Sequence, residues 1–261
     1  VSDLLDGRDL VHELHKHDFF FVLALQKGSG HHEIDFTDYT ICDNSIFILR
    51  PGQVHRLELQ AGCTGFLMEF DASFYHPSDK ISIQRLSKAI NKNFCELEVG
   101  RFNKLMAVLA YIFNEYDSKQ EGYTEVIKAN LDIFFIEFIR QSLNPDSTSK
   151  SGNLYTQERY EEFIELLNSR ITDLKQVSQY ADLLNVSAYQ LNAITKTSVG
   201  KSASGLINEQ IILEAKRQLL ATPNQVKDIA DHLGYEDFSY FIRFFRKHTG
   251  YSPEAFRKKF G

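Results

Sequence analysis

The stretch Gly234-Tyr235-Glu236-Asp237-Phe238-Ser239-Tyr240-Phe241-Ile242-Arg243-Phe244-Phe245-Arg246-Lys247-His248-Thr249-Gly250-Tyr251-Ser252-Pro253 holds more structural instruction than any other part of the chain. Gly234 can enter the left-handed conformation that ends a helix. Asp237 can cap the next helix by accepting from a backbone N–H. Phe241 and Phe245 fall four residues apart, on one helical face, and are expected in the core. Gly250 closes that helix, and Ser252-Pro253 opens another. These signals predict a short turn followed by an amphipathic helix.

The same instructions occur earlier. Gln176-Val177 matches Gln225-Val226, Ala181-Asp182 matches Ala230-Asp231, and Leu184 matches Leu233, all 49 residues apart. After the turn the offset is 50: Ser187 falls on Asp237, Leu191 on Phe241, Gly200 on Gly250 and Ser202 on Ser252. Two copies of one supersecondary unit are present. Each has a short helix with a small residue, Ala181 or Ala230, where a second helix approaches closely. A turn follows at Asn185 or Gly234, then an N-cap, then a second helix. This is the helix-turn-helix pattern. Between the units Ile207–Leu220 reads as one longer amphipathic helix that ends by Pro223.

Upstream, residues 144–153 contain Asn, Pro, Asp, Ser, Thr, Lys and Gly and no apolar residue, the composition of a linker. It predicts two domains, residues 1–143 and 154–261. In the first, 19–26, 32–36, 39–42, 46–49, 54–59 and 66–70 are short, rich in β-branched and aromatic residues, and cut by Gly, Asp and Pro, as strands of a small barrel or sandwich would be. Helical periodicity then takes over at 101–118 and 123–143. The first of these helices has an apolar stripe of Leu105, Leu109, Ile112 and Tyr116, which offers a homodimer interface or a cover for the barrel.

The 261 residues carry a net charge of −6, but unevenly. Residues 154–261 have 14 basic and 13 acidic side chains, and the rest of the chain 15 and 22. From Arg243 to the end there are six basic residues and one acidic. Phosphate affinity follows local charge, so the global sign does not exclude DNA. The longest apolar run, Phe19 to Leu25, falls well short of the ~20 residues of a membrane span. Asp3 and Asp6 stand where a signal peptide would be basic or apolar. Cys42, Cys63 and Cys95 form no CxxC pair. A reducing cytoplasm is the expected location.

Residues 234–253, together with Gly200-Lys201-Ser202 and the run Glu214-Ala215-Lys216-Arg217-Gln218-Leu219-Leu220, closely resemble the C-terminal signature of the AraC/XylS family of bacterial transcription regulators. The resemblance covers about 157–260, and the N-terminal half resembles that family's cupin-type sensor domain more loosely. It implies a cupin-like β-barrel with helices, followed by an all-α domain whose two recognition helices enter successive major grooves of double-stranded DNA, about 34 Å apart. The implied base-facing residues are Tyr189, Asn192 and Ala193 in the first helix and Phe238, Ser239, Ile242 and Arg243 in the second. Asn192 suits adenine, Arg243 guanine, and Ile242 a thymine methyl. Lys196, Lys201, Arg246, Lys247 and His248 are expected phosphate contacts. RNA polymerase is a further implied partner. Thr195 stands where the family has Phe, and Ile211 where its linker helix has Arg, so a less rigid first unit is expected.

His15-Lys16-His17 and Pro51-Gly52-Gln53-Val54-His55 resemble the two half-motifs of cupin barrels. The carboxylate that follows HxH in metal-dependent cupins is missing; Phe20, Phe21 and Val22 stand there. A three-histidine site stays open, but the expectation is no metal, no cofactor, no catalytic residue and no enzymatic activity. A small organic effector is expected instead, with His15, His17, Phe21, His55 and Glu69 as candidate contacts. His31-His32-Glu33 reads as a polar strand edge. The alternatives are a constitutive regulator whose barrel is only a scaffold, and a cupin enzyme fused to a helical module.

Overall fold

The structure is a computed structural model that describes residues 1–77, 79–142 and 154–261. The chain divides into two compact units, Val1–Thr148 and Ser149–Gly261. The expected linker, residues 144–153, lies outside the described residues.

The first unit runs α1 (Ser2–Leu5), β1 (Leu10–Lys16), β2 (Phe19–Lys27), β3 (Gly30–Ile34), β4 (Thr37–Ile41), β5 (Ser45–Leu49), β6 (Val54–Leu59), β7 (Thr64–Asp71), α2 (Lys80–Ile90), β8 (Phe94–Glu96), α3 (Val99–Ser118) and α4 (Tyr123–Ser142). The strands make two four-stranded sheets, in the orders β1-β6-β3-β4 and β7-β2-β5-β8, and every described pairing is antiparallel.

Why β2 and β5 are nearly all apolar follows from where they lie. Strand alternation sends successive side chains to opposite faces. In β2, Phe21, Leu23 and Leu25 join Ile34, Ile41, Leu57 and Leu59 of the other sheet in one core. The intervening Phe20, Val22 and Ala24 join α3 and α4 in a second core. A strand buried on both faces has no polar side to show, so its sequence reads as a continuous run. The unit is thus layered: sheet, sheet, helices.

That layering decides the fate of the α3 stripe. Leu105 and Leu109 are 0% exposed, and Ile112 is buried with them against the second sheet and α4. These three residues are buried in the unit's own core, so the stripe is spent on covering its own sheet rather than left free for the expected dimer interface. Only Tyr116 of that set stays exposed.

The second unit runs α5 (Leu154–Arg170), α6 (Val177–Leu183), α7 (Ala188–Val199), α8 (Ala203–Ala221), α9 (Val226–His232), α10 (Phe238–Thr249) and α11 (Pro253–Phe260). One core joins both repeats through α8: Tyr180, Ala181 and Leu191 from the first, Ala230, Phe241 and Phe245 from the second, and Ile207, Ile211, Ala215 and Leu219 between them. Ile211 is therefore a packing residue of α8. Thr195, at the place matched by Phe245, is fully buried and donates its hydroxyl to the Asn192 carbonyl. No described helix is long and apolar enough to cross a membrane.

Candidate nucleic-acid interface and N-terminal histidine cluster

Each recognition helix starts and stops by local chemistry. The turns use positive φ at Asn185 (53°) and Gly234 (68°). At the start of α7 the Ser187 hydroxyl accepts from Gln190 N at 3.1 Å, and Gln190 Oε1 accepts from Ser187 N at 2.8 Å, a capping box. At the start of α10 Asp237 Oδ1 accepts from Tyr240 N at 3.0 Å. Gly200 and Gly250 end the two helices in the left-handed conformation. Between them α8 has 19 residues, a length of about 28 Å at helical rise. That length is comparable to the ~34 Å separating successive major grooves on one face of DNA.

The two helices present equivalent faces. Tyr189, Asn192, Ala193 and Lys196 follow the spacing i, i+3, i+4, i+7, as do Ser239, Ile242, Arg243 and Arg246, and the two sets are 50 residues apart. Tyr189 is 84% exposed. Ala193, Ser239 and Arg243 are also exposed, and Ile242 is half-buried. Among the described residues Arg243 makes a 3.7 Å ion pair with Asp237, between exposed groups, a weak restraint in water.

Two expected base readers are otherwise engaged. Asn192 Oδ1 accepts from Ala203 N at 3.0 Å and its Nδ2 donates to the Ala188 carbonyl at 3.0 Å, so its amide ties α7 to the start of α8. Phe238 is half-buried and packs on the helical core. Among the phosphate candidates, Lys196, Arg246, Lys247 and His248 are exposed. Lys201 instead donates to both carboxylate oxygens of Glu209 at 2.8 Å, which neutralises it locally.

In the first unit four histidines converge. His15 sits in register with His55 across β1 and β6, next to a shift in pairing between His12 and His15. Such irregularities re-aim side chains. His17 follows two residues on, so alternation returns it to the same side. His55 Nε2 lies 2.9 Å from His17 Nε2, and His15 Nε2 lies 3.0 Å from His17 Nε2. Behind them His32 Nε2 meets His55 Nδ1 at 2.9 Å. His32 is no strand-edge residue: β3 pairs with β6 and β4, and His32 is 0% exposed. Strand alternation carried the signal, since His32 shares a face with Ile34, but the neighbouring His31 and Glu33 masked it. Burial lowers the His32 pKa to about 3, and burial with the neighbouring rings lowers that of His55 to about 2. Both rings are neutral over the physiological range.

Phe21 faces this cluster, its ring 5.2 Å from that of His55. Glu69 pairs with Phe21 across β2 and β7 but is exposed. A separate cleft of about 420 Å³ opens on the other side of the second sheet, between β7 and the α3 and α4 helices. Met68, Phe70, Phe113, Tyr116, Tyr123 and Ile127 contribute to its lining, with Glu69 and Asp71. Between the two sheets the side chains of the first core pack together.

Comparison with known proteins agrees with both halves. Residues 5–131 match the AraC-like ligand binding domain, and residues 180–259 match a helix-turn-helix domain family. An uncharacterized HTH-type transcriptional regulator of Bacillus subtilis, YfiF, is 22% identical over 94% of this chain and 78% of its own length. The HTH-type transcriptional activator RhaS of Pectobacterium carotovorum is 22% identical over 93% of this chain and 86% of its own. The C-terminal domain of the response regulator yesN from Fusobacterium nucleatum is 26% identical over 38% of this chain and 98% of that one, with a TM-score of 0.37. With a ligand-binding domain ahead of a double helix-turn-helix domain, and full-length relatives that regulate transcription, the chain belongs to the AraC/XylS family of transcription regulators.

Proposed function

We propose that α7 and α10 read base sequence in two successive major grooves, and that a small molecule held by the first unit alters DNA affinity. The observation that carries the first part is the matched pair of exposed helix faces, capped alike and fixed to one core through α8. Tyr189 and Ala193 read in α7, and Ser239, Ile242 and Arg243 in α10. Lys196, Arg246, Lys247 and His248 hold phosphates, a role that fixes register without reading sequence. Asn192 and Phe238 support these helices from behind.

For the effector, the cleft beside β7 is the favoured seat. Its size falls within the ~300–1,000 Å³ of small-molecule sites. Aromatic and aliphatic walls with two tyrosines suit a mainly apolar molecule carrying a hydroxyl, rather than a sugar. If such a ligand tightens DNA binding, DNA must tighten ligand binding by the same factor, typically about 5–150-fold. Calorimetry of a screened ligand, with and without bound DNA, tests this. Equal ligand affinity in both states would leave the first unit as a scaffold only.

A further inference from the structure

The histidine cluster has a proton shortage. His15 Nδ1 lies 2.6 Å from the Glu13 carbonyl oxygen, which can only accept. In the neutral ring that proton stays on Nδ1, and His15 Nε2 is a bare lone pair. His17 Nε2 faces that lone pair at 3.0 Å and His55 Nε2 at 2.9 Å. If His17 Nε2 carries a proton, one N–H has two acceptors to serve. If it does not, it opposes the His15 lone pair directly. Neither tautomer gives both contacts a hydrogen bond of their own.

A cation removes the conflict, because it accepts all three lone pairs and needs no proton. We propose that His15, His17 and His55 bind one divalent transition-metal ion of the zinc, cobalt or nickel class through their Nε2 atoms. The ligand atoms of these three residues all lie within 4.8 Å of one another. Bonds of about 2.1 Å to a common ion would set nitrogens about 3.0–3.4 Å apart, close to the 3.0 and 2.9 Å contacts that His17 Nε2 makes with His15 and His55. Neutral imidazoles with no thiolate suit these metals rather than calcium or magnesium.

The outer contacts are those such a site needs. A ligating histidine is held by a bond from its other ring nitrogen. His15 uses Nδ1–H to the Glu13 carbonyl, and His55 uses Nδ1–H to His32 Nε2. His32 is thereby a positioning residue, and its own Nδ1 is buried without a hydrogen-bond partner among the described residues. His15 and His17 are half-buried, so the ion can take further oxygen donors from solvent. The assignment does not depend on DNA binding or on the β7 cleft.

The test uses the full chain without a histidine tag, stripped with a chelator and titrated with Co²⁺ and then Zn²⁺. Calorimetry and elemental analysis should show one ion per chain, and Co²⁺ should develop visible ligand-field absorption that Zn²⁺ abolishes. His17→Gln and His55→Gln should each lose at least about 100-fold in affinity. His32→Phe should weaken binding by roughly 10–100-fold, as removal of an outer contact does. His12→Gln, next to the cluster but outside the ligand set, should bind as the parent does. Circular dichroism identifies variants that fold. If His55→Gln does not fold, the half-buried His15→Gln and His17→Gln carry the test. No stoichiometric ion in the parent, or unchanged binding in folded His15→Gln and His17→Gln, would overturn the proposal.

Discussion

Arg243 and Asn192 show how side chains of similar recognition potential part company once their neighbours are known. Arg243 projects from α10 with 67% of its side chain exposed and only a loose ion pair to Asp237. A bidentate arginine–guanine contact is worth about 1–3 kcal/mol of discrimination. Arg243→Ala should therefore relax preference at one base position, whereas Lys247→Ala should weaken all sequences alike and flatten the salt dependence. Binding of both variants to specific and random DNA across a salt series distinguishes these effects; equal losses on both DNAs for Arg243→Ala would remove it from the readers. Asn192 has its amide bonded at both ends. Asn192→Ala should cost the second unit about 1–2 kcal/mol of stability, seen as a lower denaturation midpoint. Unchanged stability with altered base preference would return Asn192 to the reading face. The residue types at these positions were legible in the sequence, but their availability was not. Hydrogen bonding to Ala203, eleven residues away, is set by how α7 meets α8.

Elements were the most legible level where chemistry is local. The turn at Gly234, the caps at Ser187 and Asp237 and the stops at Gly200 and Gly250 all rest on interactions within a few residues, and all appear where the sequence places them. The two glycines still differ. A Cβ at 234 would stand 2.6 Å from the Thr172 carbonyl oxygen, whereas one at 250 would meet nothing within 4 Å. Gly250→Ala should cost about 1–2 kcal/mol for left-handed strain, and Gly234→Ala some 1–3 kcal/mol more for the overlap. Equal denaturation midpoints would show that the α9–α10 turn yields freely. The strands β1 and β8 and the helix α2 escaped the reading. β1 mixes four histidine and charged side chains with three apolar ones, and β8 has only three residues. The α3 stripe was found but its partner was not, because periodicity reveals a buried face without naming what buries it. Leu109→Asp should consequently destabilise the first unit by about 3–5 kcal/mol. A folded monomer from that variant would instead favour a subunit interface.

On the scale of the whole molecule, an acidic first unit and a nearly neutral second one give a DNA binder whose total charge points the wrong way. The division was visible because the repeat confines the reading helices to residues after 176, and the strands lie before 97. Less visible was which part of the first unit is open. Apolar side chains pack between the sheets, the cleft lies against the helices, and His32 completes a cluster begun by histidines far along the chain. Such features depend on strand order, which one sequence does not display. In the function proposed above, two similar helices, fixed to one core, read two adjacent stretches of DNA. Selection of bound sequences from random double-stranded DNA by the full chain tests it directly. The expected motif has two parts about one helical turn, roughly 10 base pairs, apart. Five extra base pairs between them should sharply weaken binding by turning one part to the opposite face, and Arg243→Ala should relax preference at one position of one part alone. A motif indifferent to that insertion, or no enriched sequence, would contradict the account.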